Sequence, residues 1–293
     1  MSDSLESLSR KMGGARDLAS VVRTMKALAA SSVGQYETAV RSLVDYYRTV
    51  ELGLAACVRH NHAGAFAGDW GNERGAIGAV VFGSDQGLVG QFNDVLTDFA
   101  VRTLNALPVD KQVWAVGERV HSRLADAGLP LAGLFTVPSS VAAITPLVGE
   151  IQIEVEASRA KGKCSQVYLF HNRPGPGASY QPAGQRLLPL DKQWRSEVTK
   201  LPWPTKSLPE VLSGAESTLR ALVREYLFVS LFKTCAESLA SENTSRLVAM
   251  QRAEKNIDDL LETLTRNFNR LRQTSIDEEL FDVISGFEAL SGS

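Results

Sequence analysis

The chain has 293 residues, 44% of them hydrophobic and 22% charged, with a formal net charge of −2. This is the composition of a soluble globular protein of about two domains, and the charge balance offers nothing to nucleic acid. Cys57, Cys164 and Cys235 are odd in number and far apart, as free thiols of a reducing compartment are; Asp3 and Glu6 with no apolar run behind them exclude a secretory signal or transit peptide, and no window of about 18 apolar residues crosses a membrane.

From the start, apolar residues step mostly by three and four: Leu5, Leu8, Met12, Ala15, Leu18, Val22, Met25, Ala29, Tyr36, Leu43, Tyr47, Val50, Leu54 and Cys57 or Val58. The spacing predicts a helix from about Ser4 to about His60, roughly 80 Å long. Gly13, Gly14, Gly34 and Gly53 fall inside it, each costing up to about 1 kcal/mol against alanine, and are expected where two helices approach closely. Residues 60–74, rich in Gly, Ala and Asn, read as a loop.

The period then changes. Residues 76–82 form a short apolar run that suits a buried strand, and 84–90 turn the chain into a helix capped by Asn93 or Asp94 and running to about Ala106. Residues 113–116 are a second strand, 118–127 a helix stopped by Gly128, and 131–137 a third strand. Thr145 and Pro146 read as the cap and first turn of a helix to about Ala160. Residues 166–171 are a fourth strand, Gly175 and Gly177 a turn, and 180–190 an antiparallel return. This alternation predicts an α/β, Rossmann-like, mostly parallel sheet with one antiparallel edge.

Residues 201–204 form an extended connector, and Ser207 with Glu210 has the spacing of a capping box that opens the last helix. Between 215 and 285 there is neither glycine nor proline, and an apolar stripe recurs at coiled-coil spacing. Such a rod would be roughly 105 Å long, and a stripe of that length needs a partner helix. The first helix supplies it. The expected architecture is an antiparallel coiled coil of the terminal helices, 1–62 and 207–293, with an α/β insert at 75–190; two unrelated helices in a larger bundle are the alternative.

Candidate sites are few. The glycine-rich turn 83–90 is not G-x-G-x-x-G and lacks the Lys-Ser/Thr of a phosphate loop, so it reads as a tight turn that presents a surface. Cys57, His60 and His62 lack a fourth ligand, and neither G-x-S-x-G nor H-E-x-x-H occurs. Asp277, Glu278, Glu279 and Asp282 could be an acid–base cluster, but on a helix whose other face carries Ile276, Leu280, Phe281, Ile284 and Phe287 they read as a solvated or partner-facing side. No catalytic, cofactor-binding or metal-binding residue is predicted.

ASVVRTMKALAAS at 19–31 resembles the first helix of the γ subunit of F-type ATP synthases, and SDQGLVGQFN at 84–93 resembles that family's S-D-R-G-L-C-G-x-x-N turn. SENTSRLVAM at 241–250, NFNRLRQ at 267–273, IDEEL at 276–280 and EAL at 288–290 continue the resemblance in order along the whole chain. Gln86 replaces the family's usual arginine, Val89 its cysteine, and 32–35 a stretch that is normally basic, so electrostatic contacts with acidic partner loops are not carried over there. The departures suit a divergent bacterial paralogue, with the coupling ion, proton or sodium, left open.

The resemblance implies a non-catalytic rotor shaft inside a hexamer of α and β subunits, seated with ε on the membrane-embedded c-ring, at the cytoplasmic face of the bacterial plasma membrane. By the family pattern, Arg272 and Gln273 would meet a β-subunit loop. Ile276, Leu280, Ile284, Phe287 and Leu290 would form a tip in the hexamer's apolar sleeve, and Gln86 and Gly87 would face a partner. Two other classes stay open on the residues alone: a small-molecule-binding α/β protein with a dimerisation stalk, and a coiled-coil scaffold.

Overall fold

The change of hydrophobic period along the chain is realised as two long helices around a sheet. The computed structural model describes residues 4–60, 75–190, 192–207, 209–210 and 215–291; the predicted loop at 60–74 lies outside them except for His60. In order, the elements are α1 (Leu5–His60), β1 (Ile77–Phe82), α2 (Phe92–Asn105), β2 (Lys111–Val116), α3 (Glu118–Asp126), β3 (Leu131–Phe135), a 3₁₀ turn (Val141–Ala143), α4 (Ile144–Ala160), β4 (Gln166–Pro174), β5 (Tyr180–Leu188), α5 (Lys192–Thr199) and α6 (Ala215–Ser291). The chain divides into two compact units, residues 1–29 with 247–293, and residues 30–246. The division cuts both long helices.

The larger unit contains the sheet, in the order β3-β2-β1-β4-β5. β1 pairs in parallel with β2 and β4, β2 with β3 in parallel, and β4 with β5 antiparallel. Every residue of β1 is buried, because both faces of a parallel sheet are covered by helices. Side chains alternate with period two. Ile77, Ala79, Val81, Val113 and Ala115 join Leu96, Ala100 and Leu104 of α2 and Val120 and Leu124 of α3 in one layer. Val80, Phe82, Trp114, Val116 and Leu169 face the other way, into a larger cluster. That cluster includes Ile144, Val148 and Ile151 of α4, Tyr36, Val50 and Leu54 of α1, and Leu219, Val223 and Leu239 of α6.

Three thiols lie in this unit, all buried. Burial pushes the pKa of each upward, most strongly at Cys235.

The smaller unit pairs the start of α1 with the end of α6. Leu8, Met12 and Leu264 form its buried cluster, with Phe268 and Leu271 packed against it. Further up α1, Arg23 Nε meets Glu254 Oε1 at 3.1 Å and Lys26 pairs with the same carboxylate, while Arg23 Nη2 lies 3.8 Å from Asp258. As the position advances along α1 it retreats along α6, so the helices run antiparallel, as the stripes require. Leu8, Met12, Ala15 and Ala19 are buried. The predicted stripe placed Leu18 among them, yet it is 59% exposed. A 3.5-residue repeat alternates steps of four and three, and after Ala15 the step of four lands on Ala19.

Other local readings are corrected. Ser207 and Glu210 lie outside α6, which begins at Ala215. Thr145 lies inside α4, whose N-cap is Ala143 with no side-chain bond; Ser140 caps the 3₁₀ turn before it, its hydroxyl accepting from Ala143 N. Asn93 lies inside α2 and makes no cap. A Cβ on Gly13, Gly14 or Gly34 would meet nothing within 4 Å, so these glycines are not points of close helix approach; Gly53, facing Leu222, is. α5 was not predicted at all. It is anchored by Trp194, whose ring lies 5.3 Å from that of Tyr226 and whose Nε1 donates to Tyr226 Oη at 3.1 Å. Arg59 Nη2 donates to the carbonyls of Thr199 and Leu201, both at 2.6 Å, at the end of that helix, where a cation also suits the helix dipole.

Candidate functional site

The last five turns of α6 belong to the smaller unit and hold most of the predicted contact residues. The level pairing of Leu8 with Phe268 and Leu271 leaves the first turn of α1 beside the start of this segment, so the residues beyond it have no α1 to pack on. They are apolar all the same. Ile276 is 52% exposed, Leu280 56%, Ile284 45% and Phe287 72%, with Phe281 and Val283 also exposed. The side chain of Leu290 lies outside what is described. Arg272 and Gln273 are exposed at the start of the same segment, and Asp277, Glu278, Glu279 and Asp282 are exposed too.

The direction of this stripe is informative. At about 100° per residue, Ile257, Leu261, Leu264, Phe268 and Leu271 share one side of α6. Ile276, Leu280, Val283, Ile284 and Phe287 share a side turned by roughly 120° from it. The overhang is therefore not an unused continuation of the seam. It presents its own apolar face with an acidic face behind it.

Gln86 and Gly87 belong to the larger unit and form a separate surface, on the turn between β1 and α2. That turn is tied down from within. Ser84 N donates to Asn93 Oδ1 at 3.1 Å, Asn93 Nδ2 donates to Ser84 Oγ at 2.8 Å, and Ser84 Oγ donates to the Gln86 carbonyl at 2.9 Å. Asp85 accepts from the backbone N–H of Glu118 at 3.0 Å and of Val137 at 2.9 Å, tying the turn to the ends of β2 and β3. Gly117 sits at φ +111, where a Cβ would lie 2.7 Å from the Ser84 backbone. Only glycine lets these two turns touch. The groups a phosphate would need are spent on the turn itself, and Gln86 is left exposed on its surface with Leu88, which holds a left-handed φ of 62°.

Cys57, of the rejected ligand cluster, is buried in the core; His62 and the side chain of His60 lie outside the described residues. Among the described residues no group of three or more His, Cys, Asp or Glu could hold a metal ion, and no helix is long and apolar enough to cross a membrane.

Sequence reasoning missed a second feature of α6. Of the fourteen buried polar or charged residues among those described, eight lie on this helix between Ser230 and Ser245. Ser238 Oγ donates to the carbonyl of Phe82 at 2.9 Å, and Ser245 Oγ to that of Val89 at 2.6 Å. Glu237 accepts from His171 Nε2 at 2.7 Å and lies 3.5 Å from Arg173. Burial pushes the Glu237 carboxyl up, but the His171 hydrogen bond and the charges of His171, Lys233 and Arg173 outweigh it and hold the pKa below the ordinary value. Glu242 pairs with Arg246 Nη2 at 2.5 Å, yet its pKa is raised, because burial dominates there. Runs of Ser, Glu, Asn and Thr inside a helix carry the signal, since these residues are indifferent helix formers. Their burial becomes visible only once the sheet is beside them.

The family model described as ATP synthase matches residues 4–290. The chain is 28% identical to the ATP synthase gamma chain of Syntrophus aciditrophicus, over 98% of each chain. It is 26% identical to that of Cupriavidus pinatubonensis, over 96% of this chain and 97% of the relative. The chain belongs to the ATP synthase gamma chain family. Solved structures share the fold: a chain of the Euglena gracilis mitochondrial ATP synthase OSCP/F1/c-ring assembly gives a TM-score of 0.65 at 15% identity, covering 98% of this chain and 94% of that one. A chain of the Tetrahymena thermophila mitochondrial central stalk and c-ring gives 0.58 at 23% identity, covering 80% and 99%. A gamma chain is the central stalk of the rotor and a non-catalytic part of the synthase.

Proposed function

We propose that this gamma chain turns within a hexamer of α and β subunits and, with ε, stands on a c-ring, coupling proton or sodium flow to ATP synthesis or hydrolysis at the β subunits. In this reading it is peripheral to the cytoplasmic face of a bacterial plasma membrane. One observation carries the site assignment: the exposed apolar stripe Ile276, Leu280, Ile284 and Phe287, turned away from the direction of the seam. An apolar face of that kind, left wet, asks for a partner. An apolar sleeve around the tip, also receiving Leu290, is the partner whose chemistry matches. Arg272 and Gln273, exposed just before the stripe, would make the polar contact with a β-subunit loop at the sleeve's mouth. Gln86 and Gly87 would face a second partner surface. The asymmetric surface of the turning shaft then biases each β site among its nucleotide states by differential contact.

The test places a photo-crosslinking residue at Phe287 or at Gln86 and co-expresses the chain with the α, β and ε subunits and the c-ring. Crosslinks from position 287 to α and β, and from 86 to a synthase subunit, are the expected result. Position 287 crosslinking to nothing in an assembled, active complex overturns the tip assignment. The small-molecule reading predicts tight nucleotide binding by the purified chain, which calorimetry would register; the spent side chains of Ser84 and Asp85 speak against it.

A further inference from the structure

In a doubly wound sheet, ligands bind beyond the carboxyl ends of the strands where the strand order reverses. Here that point lies between β1 and β4: the chain moves outward through β2 and β3, then returns to β4 on the other side of β1. Phe82 and His171 are register partners there. What occupies the place is α6. Ser238 bonds the carbonyl of Phe82, the last residue of β1, and Glu237 bonds the His171 ring from β4. Seven residues further along α6, Ser245 bonds the carbonyl of Val89 in the turn that follows β1.

The geometry of these contacts differs from that of ordinary core packing. Ser238 and Ser245 are two helical turns apart on one face, about 10 Å along the axis. Glu237 is displaced from them by about 100° around the helix, toward the neighbouring strand. The three attachments therefore do not lie on a line. Apolar packing is non-directional and lets a helix turn or slide at small cost, whereas hydrogen bonds weaken steeply when bent. All the groups are buried: His171 is 1% exposed, Ser238 3%, Ser245 8% and Glu237 8%. Water cannot readily replace a bond that breaks.

We propose that Glu237, Ser238 and Ser245, held by His171 and the carbonyls of Phe82 and Val89, form a torsional clasp that fixes the angle of the sheet about α6. They are positioning residues, touching neither nucleotide nor coupling ion, and their task is to pass torque between the sheet and the helix without slip. The inference rests on the rotor role.

The experiment uses the assembled complex, immobilised through its hexamer, with a bead attached at Ile153→Cys. Ile153 is 69% exposed on α4, and the three native thiols are buried. The measurement is the spread of bead angles at stall, beside zero-load ATP hydrolysis and ion-driven synthesis. In Ser238→Ala/Ser245→Ala the angular variance is expected to widen about twofold, with hydrolysis unchanged and synthesis reduced. Ser238→Thr/Ser245→Thr, which keeps both hydroxyls, is expected to return the wild-type spread. An unchanged spread in the double alanine variant, with only a lowered melting temperature, overturns the clasp. Should that variant fail to assemble, Ser238→Ala alone, which removes one hydroxyl from the clasp, is read in the same way and with the same two outcomes. A wild-type chain that assembles but never turns the bead overturns the rotor role itself, and the clasp with it.

Discussion

One helix breaks the usual relation between polarity and burial twice, in opposite directions. Between Ser230 and Ser245, α6 buries polar side chains; between Ile276 and Phe287 it exposes apolar ones. Buried polar groups persist in native proteins when partners satisfy them; for Ser238, Ser245 and Glu237 the partners are the carbonyls of Phe82 and Val89 and the ring of His171, while Ser241 Oγ has none among the described residues. Exposed apolar groups in a contiguous face persist when a second surface covers them. The first segment has found its partner within the chain, and the second has not. Function collects where the local rule fails, and the sign of the failure tells whether the partner is internal or external.

The largest effect should come from the stretch of α6 between these two, which obeys the rule. Leu264→Asp would bury a charge against Leu8 and Met12, and such uncompensated charges cost roughly 3–5 kcal/mol. Co-expression with α and β subunits should then give little or no complex. Normal assembly of this variant would mean that the seam is not where the smaller unit is held together.

Next in size is Glu237→Leu, which removes the acceptor facing a buried His171 and should lower stability by about 1–3 kcal/mol in denaturant melts. A loss no greater than that of an exposed residue would make the polar segment ordinary surface. Its acid titration sharpens the point. The folded pKa of Glu237 lies below its ordinary value of 4.5, so its contribution is present above that value and is lost as pH falls through the folded pKa. Glu242 has the opposite sign: its raised folded pKa gives stability that is present below 4.5 and lost as pH rises through the folded value. Melting temperatures should therefore fall less steeply in Glu237→Gln than in the parent chain as pH drops below 4.5, whereas Glu242→Gln should lack the gain that the parent shows as pH drops toward 4.5 from above. Equal slopes would erase the distinction between the two carboxylates.

The smallest effect on stability belongs to the exposed segment. Phe287→Asp should leave the melting behaviour of the chain within about 0.5 kcal/mol, still assemble, and impair rotation or coupling in ATPase-driven assays. If it abolished assembly while Leu264→Asp assembled normally, the covered and uncovered parts of the helix would be reversed.

Much of the fold was legible because it rests on periodicity. Leu8, Met12 and Leu264 announce a seam by spacing alone, and the run from Ile77 to Phe82 announces a buried strand by lacking any polar face. What failed were local choices that tertiary contacts decide. Asn93 has a capping side chain, yet Ser84 claims it; Thr145 precedes a proline, yet the chain is already turning at Ser140. α5 has too few apolar residues to betray itself, and depends on Trp194 reaching Tyr226 from another part of the chain. The apolar tip could be read from sequence, because amphipathicity is a local pattern. The buried polar segment could not. Whether a serine on a helix meets water or a strand's last carbonyl depends on a sheet that lies more than 150 residues away, as Phe82 does from Ser238.

The three buried thiols turn the larger unit into its own gauge of breathing. A thiol reacts as its thiolate, and burial both hides these sulfurs and raises their pKa. Alkylation of the native chain can proceed only through local opening, so its rate at each cysteine reports the free energy of that opening. Cys57 lies on α1, Cys164 just before β4 and Cys235 on α6. The order in which they become reactive under gentle denaturation would rank the long helices against the sheet, with no label added to the protein.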